Sequence, residues 1–138
     1  MENRGKSTTL FAPVPAEIER VGKVVLDAAF KIHSKLGPGL LESVYETCLV
    51  YEIHKSGICV QAQVSLPIKY EKLKIDTGLR LDILVDDCVI VELKSVDVLL
   101  PIHQSQLLTY LKMSGLRLGF LINFNVPRLK NGIVRMVV

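Results

Sequence analysis

Two runs rich in Val, Ile and Leu, Leu79 to Val85 and Val89 to Lys94, flank a short polar segment at Asp86-Asp87. That is the pattern of two antiparallel strands joined by a turn. Strands are also predicted at Val60 to Tyr70, followed by a turn at Glu71 to Lys74, and at Leu116 to Phe124 and Ile133 to Val138. Pro15, a favoured first-turn residue with Glu17 and Glu19 behind it, opens a helix to about Lys35, which Gly37-Pro38-Gly39 breaks. A second helix, about Leu40 to Lys55, carries an apolar stripe of Leu41, Val44, Cys48 and Tyr51 and stops at Gly57. Pro101 opens a third helix through Met113, ended by Gly115. Residues 1–14, with Gly5, Ser7, Thr8, Thr9 and Pro13, are expected to form a disordered or loosely docked tail, leaving 15–138 as one domain. The order helix, helix, three strands, helix, two strands indicates an α/β sandwich with a mixed central sheet. The third helix acts as a crossover, which makes the strand at Leu116 parallel to a neighbour.

Composition narrows the class. With 138 residues, 49% of them hydrophobic, the chain can bury a sufficient core without staples. No apolar run reaches the roughly 18 residues needed to span a bilayer, and the N-terminus lacks the layout of a secretory signal. A cytoplasmic protein without a membrane partner is expected. Cys48, Cys59 and Cys88 match no zinc spacing and suit a reducing compartment. Net charge is only +3, but no acid follows Asp97, while Lys112, Arg117, Arg128, Lys130 and Arg135 do. That asymmetry suits phosphate binding, and equally a solvated basic surface. The absence of Trp and the small number of Phe and Tyr argue against a single-strand binder built on stacking.

The acids within the apolar hairpin carry the chemistry. Glu92 and Lys94, two apart on a strand, point the same way. With a three-residue loop Asp86-Asp87-Cys88, Val85 pairs with Val89, Leu84 with Ile90, and Asp82 with Glu92. Like charges directly across a sheet repel. A divalent cation that prefers oxygen ligands removes that penalty. The alternative is an exposed sheet face on which Lys94 is simply the salt-bridge partner of both acids, worth below about 1 kcal/mol.

An Asp followed about ten residues later by Glu-x-Lys across adjacent strands resembles the core of the PD-(D/E)XK nuclease superfamily. More closely, the chain resembles the small bacterial GxxExxY family, whose name is matched by Gly39-Leu40-Leu41-Glu42-Ser43-Val44-Tyr45. The segments LGPGLLESVYE, LRLDILV, VIVELKSV, HQSQLLTYLK and LGFLINFNVP occur in that family's order, from about Ile32 to Pro127. Two departures stand out: Leu81, not proline, precedes Asp82, and Asp87 occupies the turn where glycine is expected. Aspartate tolerates the left-handed conformation such a turn needs.

The resemblance implies a restriction-endonuclease-like αβββαβ core and hydrolysis of phosphodiester bonds, DNA being the first substrate to test. Asp82 and Glu92 would hold Mg²⁺ or Mn²⁺, with Glu42 completing the shell directly or through water and the Leu93 carbonyl as a further ligand. Lys94 would orient the attacking water or neutralise developing charge. Glu42 and Tyr45 share a helix face, which sets Tyr45 to border the site or meet nucleic acid, though helix-dipole stabilisation alone also accounts for an acid at position 42. Gln106 and Tyr110, with His103 on the same face, resemble the motif that borders the site in RecB-like members; Tyr110 as core is the alternative. Nucleic acid is the implied partner, and self-association as a homodimer stays open. A nuclease fold retained as a silent nucleic-acid-binding or assembly module, or a purely structural protein, are the competing functions.

Overall fold

The computed structural model describes residues 12–138; most of the expected N-terminal tail, residues 1–11, lies outside them. Helices α1 (Ala16–Leu36) and α2 (Glu42–Lys55) precede strands β1 (Val60–Tyr70), β2 (Leu73–Val85) and β3 (Val89–Lys94). Helix α3 (Pro101–Ser114), β4 (Leu118–Asn123), a 3₁₀ turn (Leu129–Gly132) and β5 (Ile133–Val137) complete the chain. The strands form one mixed sheet in sequential order, antiparallel except for the β3–β4 pair. The expected crossover by α3 is therefore present. The fold is the α/β class with a mixed central sheet that the element order indicated, and it agrees with the restriction-endonuclease-like core that the resemblance implies.

Two apolar layers sandwich the sheet. On one side Val25, Ala29 and Ile32 of α1 and Tyr45, Leu49 and Ile53 of α2 pack on Val89, Val91 and Leu93 of β3 and on Phe120 and Ile122 of β4. On the other, Leu107 and Leu111 of α3 pack on Ile90 and Leu121. Odd positions of β3 thus face α1 and α2, and even positions face α3, so Glu92 and Lys94 lie on the α3 side.

Two expectations need correction. The buried stripe of α2 is Tyr45, Leu49 and Ile53, whereas Leu41 and Tyr51 are 73% and 62% exposed. The residues of the expected stripe are as apolar as those of the real one, so hydrophobicity does not tell which helix face meets the sheet, and Tyr45 rather than Tyr51 is the tyrosine that buries. Strand β2 also begins six residues earlier than expected, at Leu73. Its first part pairs only with β1 and buries little, so burial alternation could not mark it.

The hairpin turn has the three-residue loop that the pattern required. Val85 pairs with Val89 and Leu84 with Ile90, and the Cys88 N–H donates to the Val85 carbonyl at 3.0 Å. Both Asp86 and Asp87 adopt positive φ, 51° and 53°, as tight hairpin turns need. At the other end of the sheet Gly132 is constrained by space. A Cβ there would lie 2.2 Å from the Asn123 carbonyl oxygen. Gly132→Ala is expected to destabilise the protein by about 1–3 kcal/mol, because backbone must shift to admit the methyl group; urea unfolding followed by circular dichroism checks it.

Candidate active site

The β2–β3 ladder stops at Ile83↔Val91, one step short of Asp82 and Glu92. There the side chains take over. The Asp82 N–H donates to Glu92 Oε2 at 3.0 Å, and the Leu93 N–H donates to Asp82 Oδ2 at 2.9 Å. Each carboxylate reaches across to a backbone donor that the ladder has dropped, which holds the two acids face to face.

A break in strand alternation produces this. Ile83 and Val85 pack toward α1 and α2, yet Leu81 packs toward α3. Neighbouring odd positions therefore face opposite sides, and Asp82 sits at the switch. The same switch occurs in β1 at Gln63, which has φ 54° and is skipped between Ala62↔Ile83 and Val64↔Leu81. Irregularities of this kind re-aim a side chain out of the regular pleat.

Glu92 is 5% exposed. Burial, and after it the charge of Asp82, pushes its carboxyl up to about 8, partly opposed by the Asp82 N–H and by Lys94. The second oxygens of both carboxylates receive no hydrogen bond among the described residues. Lys94, half-buried, opens into a cleft of about 420 Å³ lined by Ile102, His103, Gln106, Thr109 and Tyr110. Gln106 Nε2 donates to Tyr110 Oη at 3.1 Å. Burial, followed by the charges of Glu92 and Asp82, raises the Tyr110 phenol above its ordinary value. His103 caps its own helix, accepting the Leu100 N–H at Nδ1, 3.0 Å.

The structure thus gathers Asp82, Glu92, Lys94, Gln106 and Tyr110 on the α3 side. Glu42 takes a different place. Its Oε2 accepts the Ser95 N–H at 3.3 Å, next to Lys94 in sequence. Among the described residues no three His, Cys, Asp or Glu side chains cluster closely enough to hold an ion, and Glu42 stands at the Ser95 backbone. Tyr45, expected to border the site or meet nucleic acid, is fully buried and stacks on Phe124 at 4.3 Å. Its hydroxyl donates to the Gly37 carbonyl at 2.6 Å and accepts the Leu40 N–H at 3.2 Å. It holds the loop before Glu42 and touches no solvent.

Pattern reasoning missed Ser95 and Asn123. Ser95 Oγ donates to the Leu40 carbonyl at 2.6 Å. Asn123 is buried level with Lys94 across the parallel ladder. Its side chain takes the Val96 N–H at 3.1 Å and donates to the Val96 carbonyl at 2.9 Å, while the Phe124 N–H donates to the Lys94 carbonyl at 3.0 Å. A buried Asn ending an otherwise apolar strand was the available signal. The basic C-terminal third is also less free than expected. Arg117 binds the carbonyls of Val138 and Ala12, and Arg135 grips Glu19 through two bonds of 2.9 and 2.7 Å. Lys112, Arg128 and Lys130 stay exposed.

A family model described as the PD-(D/E)XK nuclease superfamily matches residues 19–136. The chain belongs to the PD-(D/E)XK nuclease superfamily. No curated protein and no solved structure matches it. Nucleases of this superfamily typically use divalent metals such as Mg²⁺ or Mn²⁺. The donor set fits such an ion: two adjacent carboxylates, each with a free oxygen, suit a hard cation that keeps several waters and binds through one or two carboxylates. Among the described residues no helix is long and apolar enough to cross a membrane.

Because the Glu92 carboxyl stands at about 8 in the fold against an ordinary value of 4.5, the folded chain holds a proton that the unfolded chain has released between those values. Stability therefore falls as pH rises from about 4.5 to 8 and levels off above. In metal-free buffer the wild type is expected to be less stable at pH 8.5 than at pH 5, by an amount on the order of a few kcal/mol for this group. Glu92→Gln removes that part of the pH dependence; chemical denaturation at both pH values checks it.

Proposed function

We propose that the protein is a divalent-metal-dependent nuclease, acting on DNA, of the GxxExxY branch that Gly39, Glu42 and Tyr45 match. Residues 15–138 form its single domain, and three free cysteines suit a reducing cytoplasm. The observation that carries the reading is the Asp82–Glu92 pair, a buried glutamate held against a half-buried aspartate although like charges repel, with Lys94 opening from it into a cleft. Asp82, Glu92 and the Leu93 carbonyl would hold Mg²⁺ or Mn²⁺, which supplies Lewis acidity and a water of lowered pKa at neutral pH.

The chain's own contribution is positioning and charge. Lys94 sits where it orients the attacking water or offsets the negative charge that builds on the phosphate. Glu42 acts through the Ser95 N–H, and through water at most, to fix the strand end that carries Lys94. Gln106 and Tyr110 wall the cleft and limit how the substrate strand enters. A second reading is a silent nucleic-acid-binding module that keeps the fold without cleavage.

Lys94→Ala is expected to fold, to bind divalent metal and to bind nucleic acid as the wild type does. It should cleave on the order of 10² or more slower, the usual scale for a positioned catalytic group. Lys94→Arg restores little, since a planar guanidinium does not replace a compact ammonium. Single-turnover cleavage of single- and double-stranded DNA and RNA with Mg²⁺ or Mn²⁺ checks this. Equal rates for wild type and Lys94→Ala remove Lys94 from the chemistry, and wild type that binds but never cleaves moves the silent module ahead.

A further inference from the structure

Continuing the β2–β3 register brings the end of β3, Lys94, level with Arg80. The β1–β2 ladder does not stop there. It runs on to Ile68↔Ile75, Lys69↔Lys74 and Tyr70↔Leu73, with no third strand beside it among the described residues. The seven residues Leu73 to Leu79 thus form one side of a two-stranded arm, about 20 Å long at roughly 3.4 Å per residue. It projects from the end of the sheet at which Lys94 lies.

Such a ribbon is marginal in water, and this one is built against its own stability. Lys69 and Lys74 stand directly opposite each other, where like charges repel. Lys72 lies in the turn between them, and all three lysines are exposed. Glu71 and Asp76 offset part of the charge in sum, yet among the described residues no acid forms an ion pair with any of the three lysines. The other face carries Tyr70 and Leu73 at the tip, 66% and 59% exposed. Apart from Leu79, which is buried at the arm's base, the arm's side chains therefore add little to the core.

We propose that this arm is the chain's grip on double-stranded nucleic acid. Lys69, Lys72 and Lys74 contact phosphates, and the ribbon, of a width that the major groove of B-DNA admits, lies along the duplex beyond the cleft. The inference rests on the nuclease reading for the partner's class, and not on cleavage. A phosphate backbone offsets the Lys69/Lys74 repulsion, and its position at the Lys94 end makes arm and cleft engage one duplex.

The test measures binding of a fluorescent 20-base-pair DNA duplex by anisotropy in EDTA, where no cleavage occurs, over about 50–200 mM salt. The proteins are full-length wild type, the triple variant Lys69→Gln/Lys72→Gln/Lys74→Gln, and the control Lys23→Gln, whose lysine is paired with Asp27 on α1. The triple variant is expected to keep the wild-type melting temperature, to bind at least about tenfold more weakly, and to lose roughly 2–3 from the slope of log affinity against log salt. The control should match wild type. Charge reversal to Glu at the same three positions deepens the loss. A wild-type salt slope in the triple variant, or a wild type that binds no duplex, overturns the proposal. A triple variant altered in oligomeric mass but not in duplex affinity overturns it in favour of a protein-docking arm. Duplex binding through the arm without cleavage in Mg²⁺ or Mn²⁺ leaves the grip standing and sinks the nuclease reading instead, so the two failures are separable.

Discussion

Two carboxylates held against each other, Glu92 buried and Asp82 half-buried, are the constraint around which this fold is arranged. Asp82 and Glu92 each accept a backbone N–H from the opposing strand, and those two bonds replace the rung that the β2–β3 ladder omits. Hydrogen bonds to charged acceptors are among the stronger ones, so the gap is closed at little structural cost. The electrostatic cost remains, and it appears as a Glu92 carboxyl raised to about 8. A protein under no functional demand would lose little by replacing the pair with apolar residues.

Much of the surrounding structure keeps the end of β3 still. Phe124 holds the Lys94 carbonyl, Asn123 pairs with both backbone groups of Val96, and Ser95 ties Leu40 and Glu42 to the same strand end. Tyr45 closes the circuit by stacking on Phe124 while its hydroxyl secures Gly37 and Leu40. The first two helices and the fourth strand thus converge on Lys94 without entering the cleft. This arrangement gives the glutamate and tyrosine of the helix motif a physical task that does not require either to touch a substrate.

The architecture was largely legible in the sequence, because Pro and Gly punctuation and the period of apolar residues mark each element. The register at Asp86-Asp87-Cys88 was legible too, since only the three-residue loop sets Asp82 level with Glu92. What escaped the pattern were departures from regular periodicity. The switch at Gln63 and Asp82 follows from a positive φ at a residue type that does not announce one. Burial of Tyr45 in place of Tyr51 depends on which helix face meets the sheet, and the arm beyond Leu79 is nearly unburied on both faces. Ser95 and Asn123 act on backbone groups far away in sequence, a role that no local motif encodes.

In the proposed nuclease the Asp82–Glu92 pair is a cation site that keeps a proton until the ion arrives. Calorimetric titration of Mg²⁺ or Mn²⁺ at pH 7, repeated in buffers of different ionisation enthalpy, counts the protons released on binding. The structure predicts release approaching one proton per site, falling toward zero at pH 9 and in the Glu92→Gln variant. Binding with no proton release at pH 7, or no binding at all, would contradict it.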